Sequence, residues 1–110
     1  MNLIDIESIK SLGGEAATFQ GFEHRANVSF FIVQFSYGKG PKKHRHPYEE
    51  TIILLEGEIE AIVDRQTQRI GRNTIVIIPA NTWHEFKSCS EEPIHMVNIH
   101  PVPKMITEWA

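Results

Sequence analysis

Apolar residues along this chain fall in short runs rather than at helical intervals. From Val28 the run VSFFIVQFSY is rich in β-branched and aromatic residues and stops at Gly38, which predicts a strand covered on both faces. TIILLEG closes at Gly57, and EIEAIVD then sets Glu58, Glu60 and Asp64 against Ile59, Ala61 and Val63, the alternation of a half-exposed strand. Polar RQTQR reads as a turn, followed by IGRNT and the apolar strand TIVIIP, which Pro79 ends. HEFKS and PIHMVNIHPV add two more strands, divided by CSEEP and stopped by Pro101 and Pro103.

Strand signals recurring at this spacing, punctuated by Gly, Pro and Asn, predict an all-β sandwich or barrel. Helix is confined to the ends. LIDIESIKSL fits a strand or one helical turn equally, and PKMITEWA fits a short C-terminal turn. No linker, repeat or low-complexity tract interrupts the pattern, so the 110 residues read as a single domain, 1–110, with one core.

Composition narrows the partners. The chain is 41% hydrophobic and 23% charged, an ordinary globular balance. A net charge of -3 creates no field that would draw nucleic acid or an anionic membrane, so neither is an expected partner. The single cysteine, Cys89, cannot form an internal disulfide, which fits a reduced, cytoplasmic setting. MNLIDIESIK lacks the basic start and apolar stretch of a signal peptide, and no run reaches membrane-span length.

Candidate chemistry concentrates in GKGPKKHRHPYEETIILLEG, residues 38–57. His44 and His46 leave the same face of an extended strand and can reach one point. Glu50 shares their parity, and the TIILLEG strand can return its carboxylate beside them after Pro47. His84, just past Pro79 in PANTWHEF, can add a further imidazole from a neighbouring strand. Three imidazoles and one carboxylate suit one divalent transition metal, whether Fe, Mn, Ni, Cu or Zn.

The same residues resemble the cupin superfamily. Gly38, His44, His46, Glu50 and Gly57 meet every spacing of the first cupin motif. In the second motif, residues 73–88, Pro79 and His84 match, Asn73 and Asn81 stand in the two glycine places, and Ser88 replaces an asparagine. Asn tolerates the left-handed backbone that a glycine would supply, and Ser88 is not in a ligand position. The resemblance implies a small single-domain cupin: a double-stranded β-helix, or jelly-roll-like β-barrel, with His44, His46, Glu50 and His84 as metal ligands in its mouth. It also implies a homodimer. Members act on small organic molecules as dioxygenases, isomerases or decarboxylases, so a metal-dependent enzyme is expected, and a non-catalytic small-molecule binding or sensing module is the alternative.

Neighbouring residues carry weaker signals. A cluster such as KKHRHPYEE is ordinarily a solvated loop; the motif spacing and the distant His84 set this one apart. Glu49 falls on the opposite face from Glu50 and reads as solvent-facing. Lys39, Lys42, Lys43 and Arg45 form a positive rim that an anionic substrate could use, although charged rims are the surface default. Tyr48 and Trp83 flank ligands and read as packing that fixes ligand rotamers or as a platform for substrate. His95 and His100 fall on opposite faces of the last strand, and His100 is the candidate acid or base behind the ligands. Cys89 reads as a small buried hydrophobe, and Phe30, Phe31 and Phe35 as core.

Overall fold

A computed structural model describes residues 1–110. Ten strands form: β1 (Ala16–Phe19), β2 (Ser29–Val33), β3 (His44–Arg45), β4 (Glu50–Glu56), β5 (Glu58–Val63), β6 (Gln66–Gly71), β7 (Thr74–Ile78), β8 (His84–Ser88), β9 (His95–His100) and β10 (Glu108–Trp109). They pair antiparallel into two five-stranded sheets, β1-β2-β9-β4-β7 and β10-β3-β8-β5-β6. The result is the expected all-β, jelly-roll-like sandwich, whose chain changes sheet at every connection except β1 to β2 and β5 to β6. No helix is long and apolar enough to cross a membrane.

Period-two alternation builds the core between the sheets. The first sheet contributes Val33, Ile52, Leu54 and Met96, and the second contributes Ile59, Ala61 and Phe86. Gly57 joins β4 to β5 at φ 80, where an added Cβ would lie 2.8 Å from the Ile94 side chain. Only glycine meets both conditions at low cost. Asn73 and Asn81, in the motif's two glycine places, adopt φ 61 and φ 58, so the left-handed backbone persists without the glycines.

Four sequence expectations need correction. RQTQR is not a turn: the turn is confined to Asp64 and Arg65, at φ 54 and φ 108, and Gln66 starts edge strand β6. Its side chains are nearly all exposed, so no apolar period marked it. VSFFIVQFSY forms a strand only over Ser29–Val33, and Tyr37 lies exposed. PKMITEWA supplies β10 rather than only a turn. Cys89 is half-buried, with its thiol 3.7 Å from Glu58 Oε1, rather than core.

Near the N-terminus, LIDIESIKSL resolves into a 3-10 turn, η1 (Ile6–Ile9), capped by the Asp5 carboxylate, which accepts from the Glu7 amide at 3.1 Å. Strand β1 and a second 3-10 turn, η2 (Gly21–His24), carried no distinct apolar period and had not been anticipated.

Candidate metal centre

The centre forms where the two sheets meet. His44 on β3 lies in register with His84 on β8 on one side and with Trp109 on β10 on the other. His46 sits just past β3, and Glu50 opens β4 in the opposite sheet. All four of His44, His46, Glu50 and His84 are buried, and one potential ligand atom from each lies within 4.8 Å of the others. His100, on β9, is equally buried, with its Nε2 3.4 Å from Glu50 Oε2. Glu49 is exposed, as the parity of the strand requires.

Backbone carbonyls set the histidine tautomers. His44 Nδ1 donates to the Lys42 carbonyl at 2.6 Å, His46 Nδ1 to Ile106 at 2.8 Å, and His84 Nδ1 to Thr82 at 2.8 Å. A carbonyl only accepts, so each Nδ1 carries the proton and each neutral ring turns an Nε2 lone pair inward. These lone pairs converge on a carboxylate. Glu50 Oε1 is 3.0 Å from His84 Nε2 and 3.5 Å from His46 Nε2, and the latter nitrogen has no hydrogen-bond partner. Lone pairs facing an anion repel unless a positive charge lies among them. A proton or a metal cation meets that requirement, so the donor set fits a divalent metal.

His100 is arranged differently. Tyr48 Oη accepts from the Ile106 amide at 3.2 Å and lies 2.5 Å from His100 Nδ1. The Glu50 carboxylate facing Nε2 only accepts, which puts the proton of a neutral His100 on Nε2, so Nδ1 accepts from the tyrosine hydroxyl. Asn98 Nδ2 also donates to Glu50 Oε2, at 3.3 Å. One carboxylate oxygen thus faces lone pairs while the other faces donors.

Electrostatics follow this geometry. Burial opposes ionisation of Glu50, but the surrounding His100, His46 and His84 rings, which donate to the carboxylate whenever their Nε2 atoms carry a proton, outweigh it and hold the carboxyl well below its usual range. Burial lowers the pKa of His44. Burial alone would lower His46 too, yet the Glu50 carboxylate and the Ile106 carbonyl outweigh it and raise that pKa. Burial raises Tyr48, which keeps its phenol protonated and able to donate.

Residues 31–100 match the family described as Cupin domain. The chain belongs to the cupin family. A curated relative of this cupin, Polyketide synthase CurC from Streptomyces cyaneus, is 31% identical over 61 residues. That match covers 54% of this chain and 40% of the relative's length. Among solved structures, the Lactobacillus farciminis oxalate decarboxylase formate complex aligns with TM-score 0.77 at 19% identity, covering 86% of this chain and 30% of that one. An oxalate oxidase aligns with TM-score 0.75 at 16% identity, covering 86% and 54%. A Bacillus subtilis oxalate decarboxylase described with Mn(II) centres gives TM-score 0.71 at 16% identity, covering 86% and 26%. At these identities the structural likeness is one of fold.

A cavity of about 270 Å³ opens onto the cupin's His and Glu cluster. His44, His46, Glu50 and His100 supply its polar lining, while Phe31, Phe35, Phe86 and Met96 are among its apolar walls. Asn98, Thr107 and Trp109 also line it. None of these three was singled out from the sequence, although Asn98 shares the parity of His100 on β9 and alternation alone could have found it. Thr107 and Trp109 gave no such signal. Trp83 lies outside this cavity, with the Arg45 guanidinium 4.4 Å from its ring centroid. The basic rim is partly neutralised: Lys39 pairs with Glu15 at 2.6 Å and Arg45 with Glu108 at 2.9 Å.

Proposed function

We propose that this cupin is a metal-dependent enzyme acting on a small organic molecule, with His44, His46, Glu50 and His84 holding one divalent transition metal. The observation that carries this reading is the convergence of carbonyl-locked imidazoles on a buried, ionised carboxylate. A divalent ion bound there supplies Lewis acidity toward a substrate oxygen. His100, which lines the cavity and meets the Tyr48 hydroxyl at Nδ1, exchanges a proton with the bound substrate through Nε2. The phenylalanine walls limit water around that exchange.

The test is turnover by the metal-loaded protein against small phenols, diketones and sugar acids, followed as product formation and oxygen consumption. Turnover of at least one class is expected, with His100→Gln lowering kcat by roughly 10²–10⁴-fold while metal content stays unchanged. Tight ligand binding without turnover across the panel would instead make the chain a binding or sensing module.

We also propose that the chain pairs with a second copy of itself through the outer face of the first sheet. Two cross-strand rows run over that face, Phe30–Ile99–Thr51–Ile77 and Ile32–Val97–Ile53–Ile75. Thr51 is the one polar member, and Ile75 and Ile77 are 66% and 58% exposed. An antiparallel sheet facing water ordinarily carries polar residues there, and a contiguous apolar face marks an association surface. A second copy presents the identical rows, so a two-fold pairing is self-complementary.

A further inference from the structure

Resting on the metal reading above, we propose that the cavity selects a flat, mainly apolar ring compound bearing one ionisable oxygen, a phenol or enol, over small dicarboxylates, and that Trp109 determines this specificity. The cavity lining combines two chemistries. Phe35, Phe86 and Met96 are among its apolar walls, His44, His46, Glu50 and His100 supply its polar lining, and Phe31 and Trp109 stand beside the imidazoles, with ring centroids 5.6 Å from His100 and 5.0 Å from His44. At about 270 Å³ the space sits near the lower limit of the ~300–1,000 Å³ typical of ligand pockets, which suits a one- or two-ring molecule.

Charge decides between acids. No lysine or arginine lines the cavity. Of the rim cations, Lys39 pairs with Glu15 and Arg45 with Glu108, and Lys43 and Arg45 lie over the Trp83 ring outside the cavity. Neutral His44, His46 and His84, ionised Glu50 and a divalent ion sum to a single positive charge. A phenolate or enolate neutralises it. A dicarboxylate dianion leaves a net negative charge in a buried site that no lysine or arginine lines, which is costly.

Hydrogen-bonding capacity agrees. Asn98 Oδ1 and His100 Nε2 are buried, line the cavity through their residues, and have no hydrogen-bond partner. They offer one acceptor and one donor, sufficient for the oxygen substituents of a hydroxy-ketone and too few for two carboxylates. Trp109 stands at the opening, 61% exposed, with its ring centroid 5.0 Å from that of His44. Its indole offers a stacking surface to a ring whose oxygens point at the centre.

Calorimetric titration of the manganese-loaded protein with 2-hydroxyacetophenone and with oxalate tests the proposal. The ring compound is expected to bind at least about tenfold more tightly. Trp109→Ala is expected to weaken it about tenfold while leaving metal content and oxalate affinity unchanged. Because Trp109 is exposed, that variant is expected to fold, and Trp109→Phe is expected to restore binding. Oxalate binding as tightly as the ring compound overturns the proposal, as does failure of the ring compound to bind a protein that holds metal. If the wild type takes up no metal, the metal reading fails by itself. The same two titrations on metal-free protein then decide ring selectivity, with equal affinities or no ring binding counting against it.

Discussion

The hydroxyl of Tyr48 separates two kinds of histidine. It meets His100 at Nδ1, while the Glu50 carboxylate holds that ring's proton on Nε2, whereas carbonyls at His44, His46 and His84 hold the proton on Nδ1. Glu50 lies between the two kinds, and its protonation couples to stability. Its pKa in the fold lies below the ordinary value of 4.5, so its contribution is fully present above pH 4.5 and is lost as pH falls further. His46 has the opposite sign: its raised pKa gives stability present below 6.5 and lost as pH rises through the raised value. In Glu50→Gln both dependences are expected to flatten, because the carboxylate is a cause of the His46 shift. Thermal melts of metal-free protein across pH check this, and an acid-side slope unchanged in the variant contradicts it. At this scale the sequence was informative for His44, His46 and Glu50, whose spacing is local, for the distant His84 through the second motif, and for Asn73 and Asn81. It was silent on the tautomers: the partners of His46 and His100, the Ile106 carbonyl and the Tyr48 hydroxyl, are distant in sequence, and those of His44 and His84 are carbonyls of irregular backbone at Lys42 and Thr82.

Strand β3 has only two residues, yet it carries His44 and leads into His46. Its position depends on β8 along one edge and on β10 along the other. The segment around β10 does more than pair. The Ile106 carbonyl orients His46, Glu108 holds Arg45, and Trp109 walls the cavity. Deleting residues 105–110 is expected to weaken metal binding by roughly 10–100-fold, the usual cost of losing a partner that orients a ligand. The strands around Ile52, Leu54 and Met96 should remain folded, since that core contains none of the deleted residues. Metal titration with far-UV circular dichroism measures both, and an unchanged affinity removes the segment from the centre. Neither β10 nor β6 was legible as a strand, because short or fully exposed edges bury too little to impose an apolar period.

Across the whole molecule, the two sheets use their inner faces for core and site, and the first sheet leaves an apolar outer face. The apolar runs correctly signalled strands with two nonpolar faces. They did not specify the cover: at the β1 edge His24 stacks on Phe19 and Lys10 bridges to Ala17, while Ile75 and Ile77 at the β7 edge are exposed. Pairing with a second copy is expected to give a solution mass twice the 12.6 kDa of the chain. Ile75→Lys with Ile77→Lys should convert it to monomer by placing like charges at the two-fold surface. Light scattering after size exclusion reads the mass, and a monomeric wild type contradicts the pairing.

The metal centre is tested most directly by metal analysis of untagged protein equilibrated with Mn(II) and freed of excess ion, beside His46→Ala and Glu50→Ala. About one equivalent per chain is expected in the wild type, and less than about a tenth in either variant that remains folded. A wild type that retains no metal, or folded variants that retain as much as the wild type, would contradict a centre built from His44, His46, Glu50 and His84.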